Sequence, residues 1–226
     1  MMAEDGAAAA RRRGESCKDR VGKKNLFLDV GSNRGDVIHA FYNNGVHRAD
    51  SNNKAWRFPI TPYSPNDWHV IGIEASPTHF GRLASLDYPT FELVKGAAWN
   101  ATGEMLELSI DDDPMHGAIH GEWGTSVVRD WSQSGGSGRM ATAQTIDLAE
   151  LLLERTCPQD RVVMKMNIEG AEFVVMEALY QRGLLCRFEA VDMYWHPSFT
   201  APLRPISDFQ REFERCNVTT NVWSVH

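Results

Sequence analysis

Three short stretches of this chain place polar residues where an apolar run gives way to a turn. The first is Asp29-Val30-Gly31-Ser32-Asn33-Arg34-Gly35-Asp36. It follows a strand-like run and precedes a helix-like one. Gly31 permits a sharp turn, and small residues let a ligand approach the backbone. The start of the helix then offers free N–H groups suited to a carboxylate. The spacing is Gly-x-x-x-Gly rather than Gly-x-Gly-x-x-Gly. Asn33 stands where a dinucleotide fingerprint has its second glycine, and Asp36 where it has its third. An acidic side chain there would face a pyrophosphate at its closest approach, which disfavours NAD and FAD. The P-loop pattern is absent from the sequence.

The second stretch ends at Glu74, the last residue of the run Trp68–Glu74. An acid at a strand end in this position accepts hydrogen bonds from both hydroxyls of a ribose. It lies 39 residues after Gly35, against a usual spacing of about 20. The Pro- and Asn-rich insertion 46–67 supplies the excess. The third stretch is Lys165-Met166-Asn167-Ile168-Glu169-Gly170-Ala171-Glu172. Strand alternation turns Lys165, Asn167 and Glu169 to one side. Polar groups on a strand buried on both faces are costly unless they are paired or reach a site. Glu169 falls at the carboxyl end, where open α/β sheets bind ligands. A Lys165–Glu169 ion pair holding the turn is the structural alternative.

These stretches need a scaffold, and the periodicity supplies one. Apolar runs at Asn25–Val30, Trp68–Glu74, Thr90–Ala98, Arg161–Ile168 and Phe188–Tyr194 read as buried parallel strands. A final strand is predicted over Val218–Val225. Helical patterns separate them at Arg34–Asn44, Pro77–Leu86, Asp147–Arg155, Glu169–Gly183 and Ile206–Arg215. Ser76 is the expected N-cap of the second helix, with Pro77 at N1, and Asp147 caps the third. Glu104–Ile110 alternates apolar and polar residues, as a half-exposed antiparallel strand does, and Met140–Ile146 reads as another pairing strand. The intervening 111–139 is rich in Gly, Ser and Asp and reads as a flap or substrate loop. Repeated alternation implies a mostly parallel sheet with helices on both faces, in one domain over 25–226. Residues 1–24 read as a disordered tail.

Composition narrows the partners. Over 226 residues the formal net charge is −7, so no nucleic-acid partner is expected on electrostatic grounds. No apolar run approaches the ~20 residues of a membrane span. The four cysteines, Cys17, Cys157, Cys186 and Cys216, are widely spaced and lack a CxxC. That predicts neither zinc nor a disulfide framework, and a reduced cytoplasmic setting. Import into an organelle through the Ala/Arg-rich start is the alternative, with Glu4, Asp5, Glu15 and Asp19 counting against it. The sequons Asn100-Ala101-Thr102 and Asn217-Val218-Thr219 read as chance occurrences.

The chain resembles the FkbM family of S-adenosylmethionine (SAM)-dependent methyltransferases over about Asn25 to Tyr194. The blocks that carry the resemblance are Leu28–Gly35, Gly72–Pro77, Gly96–Ala98 with Gly103–Glu107, Thr145–Leu148 and Lys165–Glu172. The last block is the most specific. The resemblance implies an α/β, Rossmann-like class I methyltransferase fold, with an antiparallel flap insertion between strands three and four. It also implies O-methylation of a small-molecule or sugar hydroxyl. Asp29, Gly31, Asn33 and Gly35 would line the methionine part of SAM, Glu74 the ribose, and Ala98 or Trp99 the adenine. The chain departs from the family at Asn167, where an Asp is usual. It also has little length left for the antiparallel seventh strand that usually closes such a sheet.

Methyl transfer to a hydroxyl needs alignment, exclusion of water and a proton acceptor. The candidates for that base are Glu169 and His196, which follows the fifth parallel strand. Lys165 is placed to orient Glu169 or stabilise an oxyanion. His116 and His120 would reach the site from the flap, and Trp123, Trp131 and Tyr194 would wall the acceptor pocket. No His/Asp/Glu set has metal-ligand spacing. A SAM-binding protein without catalysis and a nicotinamide-dependent oxidoreductase are the competing readings.

Overall fold

The apolar run Asn25–Val30 forms β1 at the centre of the sheet. The computed structural model describes residues 17, 22–43, 45–49, 54–58, 64–112, 122, 124–128, 137–196 and 203–224. Of the expected tail, Cys17 and 22–24 lie within that set. In chain order the elements after β1 are α1 (Asp36–Asn43), β2 (Val46–Ala49), β3 (Lys54–Arg57), β4 (His69–Glu74), α2 (Pro77–Ala84), β5 (Phe91–Lys95) and β6 (Ala97–Trp99). There follow β7 (Met105–Ser109), β8 (Met140–Asp147), α3 (Leu148–Arg155), β9 (Arg161–Met166), α4 (Glu172–Gln181), β10 (Ala190–Trp195), α5 (Ile206–Arg215) and β11 (Thr219–Ser224).

The main sheet has six strands in the order β11-β10-β9-β1-β4-β5, and every pair is parallel. Renumbered by first appearance this is 3-2-1-4-5-6, the doubly wound order whose switch point lies between β1 and β9. The chain thus has an α/β, Rossmann-like architecture. Among the described residues the main sheet has no antiparallel seventh strand. Side-chain parity sorts the core onto two faces. Leu26, Leu28 and Val30 pack with Met164, Met193 and the apolar residues of α3, α4 and α5. Phe27, Val70 and Val163 pack with Val37, Ile38 and Phe41 of α1 and Leu83 of α2. Phe27 stacks on Phe41 at 4.8 Å, and Phe58 meets both edge-on at 4.9 Å.

Three local expectations need correction. The third strand does not run unbroken over 90–98. It divides at Gly96, where a Cβ would come within 2.6 Å of the Gln144 carbonyl oxygen. There the chain leaves the main sheet, and β6 joins a small three-stranded sheet of order β6-β8-β7. The insertion 46–67, read as irregular, contains the antiparallel hairpin β2–β3. Ser76 precedes α2 with Pro77 at N1, but its hydroxyl makes no cap bond. Asp147, by contrast, accepts from the amides of Ala149 and Glu150. Among the described residues no helix is long and apolar enough to cross a membrane.

The cysteines overturn the framework reading. Cys17 is bonded to Cys157 and Cys186 to Cys216. Spacing hid both bridges, because one spans 140 residues and the fold alone brings its ends together. The cytoplasmic expectation loses the support it drew from reduced thiols. Both bridges sit near the amino ends of the strands. Cys157 lies between α3 and β9, and Cys186 and Cys216 precede β10 and β11. Opening the Cys17–Cys157 bridge by Cys157→Ala should lower unfolding stability by about 2–4 kcal/mol, read as the urea midpoint. A midpoint unchanged by the substitution would show that the bridge does not constrain the chain.

Candidate functional site

The turn after β1 is held from two sides. The amides of Gly31 and Ser32 both donate to the Ile73 carbonyl, at 2.9 and 3.1 Å. On the other side, a Cβ at Gly31 would lie 2.0 Å from the Asn167 carbonyl oxygen. Gly31 has φ +82°, so close backbone packing and a left-handed conformation both require glycine here. Its smallness admits the neighbouring crossover turn at the switch point, a role not anticipated from the sequence. Gly35, at φ +84°, similarly leaves room for Leu83 and Leu86 of the α2 region.

Glu74 joins this turn to the next one. Its Oε2 accepts from the Asn33 amide at 2.6 Å and its Oε1 from the Ser76 amide at 2.7 Å. Burial pushes its carboxyl up to about 7 from 4.5, opposed by those two amides. Asn33 adopts φ +48°, its Oδ1 accepts from the Arg34 amide, and its Nδ2 lies 3.2 Å from His79 Nε2. His79, on α2, went unnoticed in the sequence because a lone histidine in a helix gives no signal. Burial lowers its proton affinity below the ordinary histidine value.

Asp29, Lys165 and Asp192 stand in register across β1, β9 and β10. All three are buried. Lys165 Nζ lies 3.4 Å from Asp29 Oδ1 and donates to the Gly31 carbonyl at 3.0 Å. Burial raises the Asp29 carboxyl, and Lys165 lowers it. Lys165 thus pairs with Asp29, and not with Glu169 as the structural alternative had it. The strand ends at Met166, and Glu169 takes φ +53°, so strict alternation does not carry past Asn167. Asn167 Oδ1 is buried without a hydrogen-bond partner.

A second group of side chains gathers at the carboxyl ends of β9 and β10. His196 Nε2 lies 3.4 Å from Glu169 Oε2, and its Nδ1 lies 3.0 Å from Glu172 Oε1. Glu172 also accepts from the amides of Ile168 and Gly170, both at 2.8 Å. Ser126, between β7 and β8, donates its hydroxyl to the Glu169 carbonyl at 2.6 Å. The structure therefore brings Glu169 and His196 together, and Lys165 with Asp29 and Gly31. Glu172 and Ser126 were missed. Glu172 lay in the quoted block, three residues past Glu169, but its contacts depend on a turn that strand alternation does not predict.

Ala98 packs into the larger core cluster, and Trp99 is half-buried opposite Asp147 of β8. His116, His120, Trp123 and Trp131 lie outside the described residues. The described residues between β7 and β8 bond one another. Gly124 donates its amide to Asp111, Ser137 bonds Asp112, and Arg139 pairs with Glu122. No family model, curated protein or solved structure matches the chain.

The buried Glu74 sets a pH dependence. Its folded value of about 7 lies above the unfolded 4.5. Its stabilising contribution is therefore complete below about pH 4.5 and is lost as pH rises through 7. Unfolding stability should fall across that window by an amount on the order of 3 kcal/mol. Glu74→Gln should remove that part of the slope in urea titrations from about pH 5 to 8. Equal slopes for the two proteins would mean that Glu74 is ionised throughout.

Proposed function

We propose that this chain is a SAM-dependent methyltransferase acting on a hydroxyl of a small molecule or sugar. One observation carries the reading: the glycine turn after β1 and the acid ending β4 share a single hydrogen bond, Asn33 N–H to Glu74 Oε2, at 2.6 Å. They therefore stand side by side at the carboxyl edge, next to the switch point, where doubly wound sheets take nucleoside ligands.

The residues present fit the group. Asn167 Oδ1, buried and unpartnered, lies on the turn that packs against Gly31 and offers an acceptor to an ammonium. Asp36, in the first turn of α1, stands where a dinucleotide fingerprint has its third glycine, which opposes a pyrophosphate. Glu74 would hold the ribose, its oxygens keeping lone pairs beyond those taken by Asn33 and Ser76. Asn33 and the turn around Gly31 would border the methionine part, and Trp99 the base. Bound there, SAM supplies a methyl group on an electron-poor sulfur with a neutral leaving group. The chain's own work is to align the acceptor, keep water out and take up the hydroxyl proton.

The sheet order alone serves a nicotinamide cofactor equally well, and Asp36 in place of the fingerprint's third glycine argues against it. Calorimetry separates the two: SAM should bind and NAD should not. Glu74→Ala should weaken SAM binding about tenfold or more, because acceptors for two hydroxyls are lost; unchanged affinity would remove Glu74 from the ribose. Glu169→Gln should lower turnover of labelled SAM on a metabolite pool more than it lowers SAM affinity. Equal losses would reduce Glu169 to a turn residue.

A further inference from the structure

We infer that Asn217 and Asn100 are N-glycosylation sites, and that the chain folds in an oxidising, lumenal compartment rather than in a reducing one. The inference does not draw on the methyltransferase reading.

Two independent observations meet here. The first is the state of the cysteines. Cys17 is bonded to Cys157 and Cys186 to Cys216, and none is left free. Disulfides form and persist where thiols are not kept reduced, and secreted chains acquire their asparagine-linked glycans in such a compartment. The reduced setting expected from the sequence therefore no longer argues against the sequons. The second is that both sequons come out on the surface. Asn100-Ala101-Thr102 lies in the turn between β6 and β7, and Asn217-Val218-Thr219 begins in the turn between α5 and β11. Neither middle residue is proline, which would block transfer. Asn100, Thr102, Asn217 and Thr219 are all exposed. Among the described residues, no group hydrogen-bonds either asparagine side chain.

The surroundings leave room for a bulky polar group. Gly103 and Glu104 are exposed after the first sequon, and a Cβ at Gly103 would meet nothing within 4 Å. Around the second, Glu214, Arg215 and Thr220 are exposed as well. Asn217 follows the C-cap of α5 with φ +56°, the left-handed conformation that closes many helices. The next side chain, Val218, packs into the core. The Cys186–Cys216 bridge fixes the chain one residue before the acceptor. This turn lies at the amino ends of the strands, away from the carboxyl edge where the candidate site stands. In the folded chain the Thr102 hydroxyl donates to Glu150 and accepts the Asp147 amide, so transfer to Asn100 precedes folding.

The donor is an oligosaccharide carried on a lipid pyrophosphate. The asparagine Nδ2 attacks its anomeric carbon, and an N–C bond forms. The C–O bond to the pyrophosphate breaks, and its electron pair leaves with the pyrophosphate. The amide gives up one proton to a base of the transferase.

Peptide mass of the full-length protein, isolated from the cells that make it, tests this. Treatment with a peptide N-glycosidase in water enriched in heavy oxygen turns each glycosylated asparagine into a heavy aspartate. That mark should appear at Asn100 and at Asn217, and the same treatment should speed the intact chain on a denaturing gel. In those cells Asn100→Gln and Asn217→Gln should each remove one step of the gel shift. Thr219→Val should remove the Asn217 step, and Thr219→Ser, which keeps the hydroxyl, should retain it. Unmodified asparagine at either position overturns the inference for that position, and at both overturns it altogether. Where a variant fails to fold, the wild-type peptide masses decide.

Discussion

Two buried carboxylates organise the carboxyl edge of this sheet, and Glu74 is the one on which the rest depends. Each of its oxygens accepts a backbone amide from a different crossover turn, Asn33 after β1 and Ser76 after β4. Glu172 does the same within one turn, bonding Ile168 and Gly170. Between them the backbones of Gly31 and Asn167 approach so closely that no side chain fits. Three turns from distant parts of the chain are thereby fixed relative to one another, and the polar side chains they carry need no further support.

The same constraint explains where charge is tolerated. Asp29, Lys165 and Asp192 form a buried row across three strands. A buried carboxylate is costly unless paired, and here the cation does double service by bonding the Gly31 carbonyl. The row stands immediately behind the turns that Glu74 and Glu172 hold. The opposite edge carries covalent ties instead: both disulfides join segments near the amino ends of the strands. Rigidity at one edge leaves the other to be shaped by hydrogen bonds, where a ligand can compete for lone pairs.

Much of the scaffold was legible in the sequence, because buried parallel strands are continuous apolar runs and their helices carry apolar stripes. Asn25–Val30 and Ile206–Arg215 have the bounds that periodicity predicts. What escaped was long-range. The departure of β6 from the main sheet turns on a contact between Gly96 and Gln144. The Lys165–Asp29 pair joins residues 136 apart in sequence, and the cystines arise only once the sheet is assembled. Within the site, Glu74, Glu169 and His196 stood out by type and position. Glu172 did not, since its partners are backbone amides exposed by an unusual turn.

The central claim is that the Gly31 turn, Glu74 and the Glu169 turn enclose one ligand crevice. Amide hydrogen exchange with and without saturating SAM tests it directly. Slowed exchange at 31–36, 74–77 and 167–172, with the strands near both disulfides unchanged, is the predicted result. No change at these turns, or protection confined to the amino edge, would contradict the account.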